Sequence, residues 1–543
     1  MSEILTLNNI GLKGINTDHQ PWELSPEFIT YGKNFRVFAG ALSAAGGYQL
    51  WENPASAYFP GHAIHVGQTS GEFWLVPGRH AVQVFHNDLW NDIGGGLYPS
   101  MGDNDELKWT SCMLGQIPVI NNPQDSVQYW APQQIGTDLK DLPFDATDID
   151  PQNHTYWRGL GFTFEVIRSH RNYLFALNLS GETVEPEVDS YRWSHPADSN
   201  NIPVTWDETN PQYLAGKAAL GGDGGHIIDG HSLRDSFVIY SESAINILDF
   251  SNDEFVWNRR ELSSTVGLLS RNCIVEVKGQ HIFLADGDIV TNDGTNIESI
   301  AHNRIRRQLN ARINVDKYRR SFAVRNNALK EAWFCVVEDD AEYPNVAYIY
   351  NWRDNSWVVR DLPYDDNKQV PPTIYQGVGY AAYGSQSEPI RTWDDYVDSD
   401  TWDSQKGVWG SAELTPLDDT VVGVDPINHR LYILDPFGTP EDDISTRLER
   451  TDFPLLDQRE VTTITRVYPH IQGTQELSIQ FGSQDHAGSP VRWKPAVLFN
   501  PATDRKIDVR STGELHCWRF DSVGKNTWTM SGMDIEFERS GKR

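Results

Sequence analysis

The sequence predicts an all-β protein, namely a degenerate β-propeller with an N-terminal extended segment and a C-terminal β-sandwich-like platform domain. Two observations predict this fold class. Aromatic residues, which favour strands, are frequent among the 543 residues, with 19 Trp, 21 Tyr and 22 Phe. Apolar residues also alternate with polar residues over many short stretches that turn-forming clusters separate. Short strands joined by regular turns are typical of sandwiches, barrels and propellers.

Period-two alternation defines the individual strands, because alternate side chains of a half-buried strand point to the same face. Turn signals lie between the alternating stretches, at 286–294, 353–357, 425–430 and 500–506. The clearest alternating sets are Met533, Ile535 and Phe537; Leu477, Ile479 and Phe481; and Val346, Tyr348, Tyr350 and Trp352.

The strands fall into groups of about the length of a propeller blade, and these groups divide the chain into three parts. Residues 1–50 are predicted to form the extended segment and a first hairpin, with a turn at 38–41. Residues 51–440 are predicted to form the propeller, although no WD40 or kelch signature is present. Residues 439–460 have the composition of a linker, and residues 441–543 are predicted to form the C-terminal β-domain.

One segment, residues 303–321, departs from the strand pattern. Ile305, Leu309 and Ile313 recur at helical spacing, and the segment holds seven Lys or Arg against the single acid Asp316. These features predict a short amphipathic helix. Its basic face indicates contact with a phosphate or an acidic partner, or else an ordinary solvated surface. The candidate interface residues are Arg304, Arg306, Arg307, Arg312, Arg319 and Arg320.

The net charge of −30 excludes a protein that grips nucleic acid over a broad face, because such a surface would repel phosphates. It does not exclude a protein that lets DNA slide past. Residues 441–543 contain 16 acidic and 14 basic residues, a net charge of −2, so residues 1–440 carry −28. This asymmetry indicates two parts with different surroundings.

Signatures of catalytic or metal-binding chemistry are absent from the sequence. It contains no GxSxG, HExxH, P-loop or CxxC motif, and His62 and His65 have no Cys or acidic residue beside them. The stretch 286–294 is interpreted as two Asp-Gly turns rather than a calcium loop, because Val290 occupies a ligand position. We therefore expect no enzymatic activity, no cofactor and no metal. The four cysteines are interpreted as reduced core residues. No signal peptide or membrane span is expected.

The acidic stretch 391–409 contains TWD twice and is open to two interpretations. Trp393 and Trp402 could form a platform for sugars. The spacing of Trp393, Trp402 and Trp409, each next to a polar turn cluster, favours strand–turn–strand edges of a structural repeat instead.

The N-terminal residues 11–48 carry an ordered series of short motifs that resembles the opening of tail nozzle proteins of short-tailed bacteriophages. This family is also called tail tubular protein B or DNA-stabilisation protein. Softer matches at 109–130, 191–206, 264–294 and the C-terminus extend the resemblance over most of the chain. The matching N-terminal elements are Gly14-Ile15-Asn16-Thr17-Asp18, Pro21-Trp22-Glu23-Leu24, Pro26, Phe28, Asn34-Phe35-Arg36, Gly40-Ala41 and Gly46-Gly47.

The resemblance implies a non-enzymatic virion component of the viral tail, assembled in the bacterial host cytoplasm. Such proteins form a sixfold ring, a homohexamer, below the head–tail adaptor ring and continue the channel for ejection of genomic double-stranded DNA. Tail fibre or tailspike proteins, and a tail needle, are further expected partners. We expect much of the acidic excess to face the channel, and the basic segment to lie at a subunit interface or the outer surface.

Two other functions fit the same features. A glycan-binding or glycan-cleaving β-propeller, a lectin or glycosidase, would use the tryptophans at 391–409 and a pair of carboxylates in one cleft. A receptor-binding adhesin would present variable loops at the tip of the tail.

Overall fold

The structure is a computed structural model. It describes residues 2–542 apart from 53–59, 69–70, 80, 87–88, 95–108, 132–137, 182–185, 199–200, 223, 252–255, 364–375, 382–418, 427, 435–443, 457–459 and 523–527. The described residues are all-β, as the sequence predicts. Their only helical elements are two short α-helices, α1 (Trp157–Leu160) and α2 (Arg306–Arg312), and three 3-10 turns at Pro21–Glu23, Pro151–Asn153 and Tyr318–Arg320. None of these helices is long and apolar enough to cross a membrane.

Most N-terminal strands pair with strands that lie hundreds of residues later in the chain, whereas β2 and β3 also pair with each other in parallel. Only β5 and β6 form a local hairpin, whose turn at Ala39 and Gly40 has positive φ angles at both residues, as the predicted turn at 38–41 requires. The strands are β1 (Glu3–Asn8), β2 (Gly14–Ile15), β3 (Phe28–Ile29), β4 (Tyr31–Lys33), β5 (Phe35–Phe38), β6 (Ala41–Ala44) and β7 (Tyr48–Glu52).

The middle of the chain forms a series of antiparallel meanders, which we number blades 1 to 7 in the described part. Blade 1 holds β8–β11, blade 2 β12–β15, blade 3 β18–β21, blade 4 β22–β25, blade 5 β26–β29, blade 6 β30–β33 and blade 7 β34–β36 with β7; β16 and β17 form a separate hairpin. The strands are β8 (Ile64–Gln68), β9 (Gly71–Pro77), β10 (Val82–His86), β11 (Leu89–Asp92), β12 (Thr110–Leu114), β13 (Ile117–Asn121), β14 (Gln128–Tyr129), β15 (Lys140–Asp141), β16 (Pro143–Asp145), β17 (Thr155–Tyr156), β18 (Thr163–His170), β19 (Tyr173–Ser180), β20 (Glu187–Trp193), β21 (Gly216–Ala219), β22 (Ile227–Leu233), β23 (Ser236–Ser241), β24 (Ile245–Phe250), β25 (Trp257–Ser263), β26 (Ile274–Val277), β27 (Gln280–Ala285), β28 (Asp288–Asn292), β29 (Ile297–Ser299), β30 (Phe322–Asn326), β31 (Glu331–Val336), β32 (Val346–Asn351), β33 (Ser356–Asp361), β34 (Gln376–Ala381), β35 (Asp419–Asp425) and β36 (Arg430–Leu434).

The first strands pack against one another between blades 2 and 3, 3 and 4, 5 and 6, and 6 and 7. The last blade takes its fourth strand from the N-terminus, because β7 pairs with β36. Blades 1 and 7 also share one apolar cluster, which contains Trp74 and Phe85 of blade 1 and Val422 and Leu431 of blade 7. The first and last members of the series are therefore in contact.

The C-terminal strands and the N-terminal strands together form two sheets that share a core, which we call the terminal sandwich. One sheet has the order β42-β38-β44-β6-β5 with β1 added to β44, and the other has the order β4-β37-β43-β39-β40 with β41 added to β39. The strands are β37 (Thr446–Phe453), β38 (Glu460–Gly473), β39 (Leu477–Gln484), β40 (Arg492–Trp493), β41 (Val497–Phe499), β42 (Ile507–Gly513), β43 (Leu515–Ser522) and β44 (Trp528–Lys542).

Most of the alternating strands are found as predicted, with two corrections. The sets at 477–481 and 533–537 face the core of the sandwich. Strand β32 is instead buried on both faces, since Ala347 and Ile349 are as inaccessible as Val346 and Tyr348. The segment predicted to be a linker contains β37, because its alternate side chains enter the sandwich core.

The cysteines of the chain are free, and three of the four are buried. Burial raises the pKa of Cys112 to about 12 and of Cys517 to about 12. Three of the four cysteines thus lie in the core, as predicted, whereas Cys112 is half-buried.

A buried ion pair joins four blades. Two nitrogens of the Arg168 guanidinium in β18, Nε and Nη2, each lie 2.8 Å from a carboxylate oxygen of Asp229 in β22. The same guanidinium donates to the carbonyl of Ser111 in β12 at 2.9 Å and to the side chain of Asn272, just before β26, at 2.7 Å. Burial alone would raise the pKa of Asp229, but Arg168 and the backbone N–H groups of Asn272 and Gly230 outweigh it and lower that pKa.

We expect the substitution Arg168→Met to destabilise the protein by about 3–5 kcal/mol, because Asp229 is left charged and buried without a cation. Arg492→Met is the matched control, since Arg492 makes an equally bidentate pair with Asp485 on the surface. Its loss should have a much smaller effect, because solvent screens an exposed pair. Thermal unfolding followed by circular dichroism measures both. Equal shifts in Tm would contradict a central role for the buried pair.

Two buried histidines are held neutral. The Nε2 of His281 faces the Ser232 carbonyl at 2.8 Å and must carry the proton, so its Nδ1 accepts the hydroxyl of Tyr240 at 2.8 Å. Burial is the main cause that lowers the pKa of His281 to about 3, and burial lowers the pKa of His516 to about 4. The unfolded chain binds these protons at an ordinary pKa of about 6.5.

We predict that stability is lost as pH falls below about 6.5, by roughly 1.4 kcal/mol per pH unit for each histidine, because only the unfolded state takes up the protons. Urea unfolding between pH 7.5 and 5 should show this slope, and His281→Gln should reduce it. His302→Gln, at an exposed position, is the control and should leave the slope unchanged. If His281→Gln left the pH dependence of stability unchanged, that result would contradict the conclusion that His281 is held neutral in the folded protein.

Candidate functional site at the basic segment

The basic segment, residues 303–321, forms less helix than the spacing predicts. Helix α2 covers only Arg306–Arg312, although Ile305 and Leu309 are fully buried as expected. The correction concerns Ile313, whose backbone leaves the helix and bridges to Glu338. Asn314 then forms a turn by accepting the N–H groups of Asp316 and Lys317. The competing β-bridge and this turn end the helix early.

The N-terminal segment docks on the start of this helix. The amide of Asn16 donates to the Asn303 carbonyl at 2.9 Å, and the N–H of Thr17 donates to the Arg304 carbonyl at 2.7 Å. The carboxylate of Asp18 accepts the N–H of Arg307 at 2.8 Å. An acidic side chain there satisfies one of the free N–H groups of the first helical turn.

At least five of the six candidate interface arginines make contacts within their own chain. Arg319 lies 5.9 Å from the ring centroid of Tyr318. Arg304 lies over the ring of Phe28, 4.7 Å from its centroid. Arg306 pairs with Asp288 at 3.4 Å, Arg312 with Asp339 at 2.7 Å, and Arg320 with Glu342 at 3.3 Å. These contacts position the segment and do not require a neighbouring subunit.

Arg312 is also tied to the core by Glu338. The Glu338 carboxylate lies 2.9 Å from Arg312 and accepts the hydroxyl of Tyr348. Burial raises the pKa of Glu338 despite both partners. Arg312 therefore compensates a carboxyl group that the fold has taken from water.

Arg307 and Arg319 are the most exposed of the six candidate residues. The carbonyl of Arg319 accepts the hydroxyl of Ser270 at 2.7 Å, which fixes its backbone against blade 5. These two arginines are the part of the predicted basic face that is presented to solvent.

A cavity of about 920 Å³ lies beside the basic segment, and blades 3 to 5 supply most of its remaining wall. Glu165 and Arg271 form an ion pair of 2.7 Å in this wall. Glu242 and Asp286 are further carboxylates of the lining, and Arg319 and Arg320 are further cations. The lining is therefore polar and close to electrically balanced. Sequence reasoning missed Glu165 and Arg271, because the partners are 106 residues apart and carry no motif.

The motifs that carry the family resemblance lie at the joint between the N-terminal segment, blade 6 and the terminal sandwich. Asn34 donates to Asp361 at 3.1 Å and to the Ser445 carbonyl at 2.8 Å. The carbonyls of Gly46 and Gly47 accept hydrogen bonds from the buried guanidinium of Arg360. These motif positions thus hold distant parts of the chain together.

Two other predicted features concern possible binding sites. The stretch 391–409, with Trp393 and Trp402, lies outside the described residues. The stretch 286–294 forms a hairpin turn, strand β28 and a second turn, in which the Asp293 carboxylate accepts the N–H groups of Thr295 and Asn296. Among the described residues no cluster of three or more His, Cys, Asp or Glu side chains could hold a metal ion.

Comparisons with known proteins do not identify a family. No family model matches the chain, and no curated protein matches it. Among solved structures, the extracellular domain of a hybrid two-component system from B. thetaiotaomicron aligns at a TM-score of 0.37 with 9% identity, over 83% of this chain and 47% of that one. PorZ, a surface component of the type-IX secretion system of Porphyromonas gingivalis, aligns at a TM-score of 0.34 with 8% identity. The alignment covers 88% of this chain and 59% of PorZ.

A third solved structure is an enzyme. An exo-beta-1,3-galactanase from Phanerochaete chrysosporium aligns at a TM-score of 0.24 with 10% identity, over 91% of this chain and 100% of that one. The chain spans about half the length of the extracellular domain named above. Likenesses this distant carry no inference about activity.

We expect Gly14→Ala to loosen the docking of the N-terminal segment. A Cβ at Gly14, whose φ is +71°, would lie 1.9 Å from the Trp357 carbonyl oxygen of β33. Gly40→Ala is the matched control, because Gly40 has a similar φ of +78° but open space around it. Limited proteolysis should cut the first 30 residues faster in Gly14→Ala than in Gly40→Ala. Equal rates would mean that backbone strain alone, and not the close approach, matters.

Proposed function

We propose that the protein is a structural subunit of a tail nozzle ring of a short-tailed bacteriophage, through which genomic DNA leaves the particle. The observation that carries this proposal is the ordered motif series at 14–47. Asn16, Thr17, Asp18 and Asn34 of that series each make a specific contact with a distant part of the chain. The resemblance therefore concerns residues that the fold depends on.

The charge distribution supports the same proposal. Residues 1–440 carry −28, and a ring multiplies each exposed acid into a band of negative charge. A band of this sign repels phosphates, so DNA can pass without lasting contact. We propose no enzymatic role, no cofactor and no metal for this protein. The partners it would need are the head–tail adaptor ring and tail fibre or tailspike proteins.

A glycan-binding or glycan-cleaving function is the second candidate, and the cavity beside the basic segment is the observation that favours it. Glu165, Glu242 and Asp286 place three carboxylates around one polar cavity. A glycosidase requires two carboxylates at a set separation. Against this use, the Glu165 carboxylate is already bound by Arg271.

The two functions differ in assembly and in turnover. The nozzle proposal predicts rings in electron micrographs of the purified protein or of virions, and no release of reducing sugar from polysaccharides or peptidoglycan. Hydrolysis that is lost in Glu165→Gln or Glu242→Gln, and retained in the surface variant Glu298→Gln, would overturn the proposal in favour of a glycosidase. Binding of glycans without hydrolysis, by a monomer, would favour a lectin.

A further inference from the structure

A hairpin between blades 2 and 3 presents an isolated apolar side chain to solvent. Strands β16 and β17 and helix α1 make up this element, residues 143–160, which we call the acidic hairpin. Ile149, near its tip, is 100% exposed and so touches nothing else in its chain. Around it, Asp145, Asp148 and Asp150 outnumber the single basic residue Arg158 of the hairpin.

The hairpin holds Ile149 in a defined position. The Asp148 carboxylate accepts the N–H of Asp150 at 2.9 Å and the amide of Asn153 at 3.0 Å. At the base of the hairpin, the rings of Trp157 and Trp206 pack edge to face with centroids 5.2 Å apart. A preorganised apolar side chain loses little conformational entropy when a partner covers it.

Further exposed apolar side chains lie at the base of the hairpin and on the segment that pairs with it. Tyr156, Leu160 and Val204 are each more than a third exposed, and the N–H of Ala146 donates to the Val204 carbonyl at 2.8 Å. An apolar centre with an acidic rim has the composition of a protein–protein contact. Its partner must offer apolar surface with a basic rim.

The basic segment of the same chain offers that complement. It carries seven Lys or Arg against one Asp. Three of these arginines pair with acids elsewhere in the chain, so its exposed cations are chiefly Arg307 and Arg319. Val315 is 77% exposed and lies at the wall of the 920 Å³ cavity. An isoleucine side chain could enter beside Val315 while the acids of the hairpin approach the arginines.

We propose that the acidic hairpin of one copy docks on the basic segment of a second copy, with Ile149 seated beside Val315. This inference rests on the proposed ring and names its contact surfaces. Two different, complementary patches on one chain make a head-to-tail contact, and such contacts close into rings when the rotation allows.

Cysteine cross-linking tests the contact directly. Chains with Ile149→Cys and chains with Val315→Cys are purified separately, mixed and oxidised, and a disulfide-linked dimer is expected only in the mixture. The double variant should give a ladder of up to six chains. Each single variant alone and the wild type, whose own cysteines are largely buried, are the controls.

A charge substitution gives an independent readout. Ile149→Lys should weaken self-association at least tenfold in sedimentation velocity, because it places a cation against the basic segment. Leu89→Lys, at a similarly exposed apolar position in β11, should not. Circular dichroism confirms that both variants fold.

The outcomes separate the inference from the proposed function. Assembled rings without the mixed disulfide, and unaffected by Ile149→Lys, would overturn the contact but leave the ring. A mixed disulfide that never extends beyond a dimer would leave the contact and overturn the ring. A monomer that forms no mixed disulfide at any concentration would overturn both.

Discussion

The ion pair between Arg168 and Asp229 is the interaction on which the series of blades most depends. It connects strands of blades 2, 3 and 4, and Asn272 extends it to blade 5. Propeller blades otherwise meet through apolar surfaces that specify relative position weakly. A bidentate pair in a buried setting has one acceptable geometry, since any displacement leaves a charge without its partner.

The N-terminus has a comparable role at the other side of the molecule. It supplies β7 to the last blade, β2 and β3 to blade 6, and β1 and β4 to β6 to the terminal sandwich. Because these partners lie more than 300 residues away, the chain must be nearly complete before the first segment finds its place. Long-range pairing of this kind slows folding. In the folded protein it ties the N-terminal segment to strands from late in the chain.

The basic segment combines two roles. Arg304, Arg312 and Arg320 hold it against the N-terminal segment and blade 6, whereas Arg307 and Arg319 face solvent. Because these contacts hold the backbone of the segment in place, its exposed side chains are presented at defined positions. The same division applies to the acidic hairpin, where internal hydrogen bonds hold the loop and leave Ile149 free for contact.

The sequence by itself determined the all-β class and most of the strands, because period-two burial at positions such as Met533, Ile535 and Phe537 is a local property of the chain. It also located the basic segment and the N-terminal motifs. Tertiary structure decided what local pattern does not encode. It shortened the predicted helix through the bridge of Ile313 to Glu338, and it buried β32 on both faces. It also paired Glu165 with Arg271 and joined both ends of the chain in one sandwich, since those contacts link residues remote in sequence.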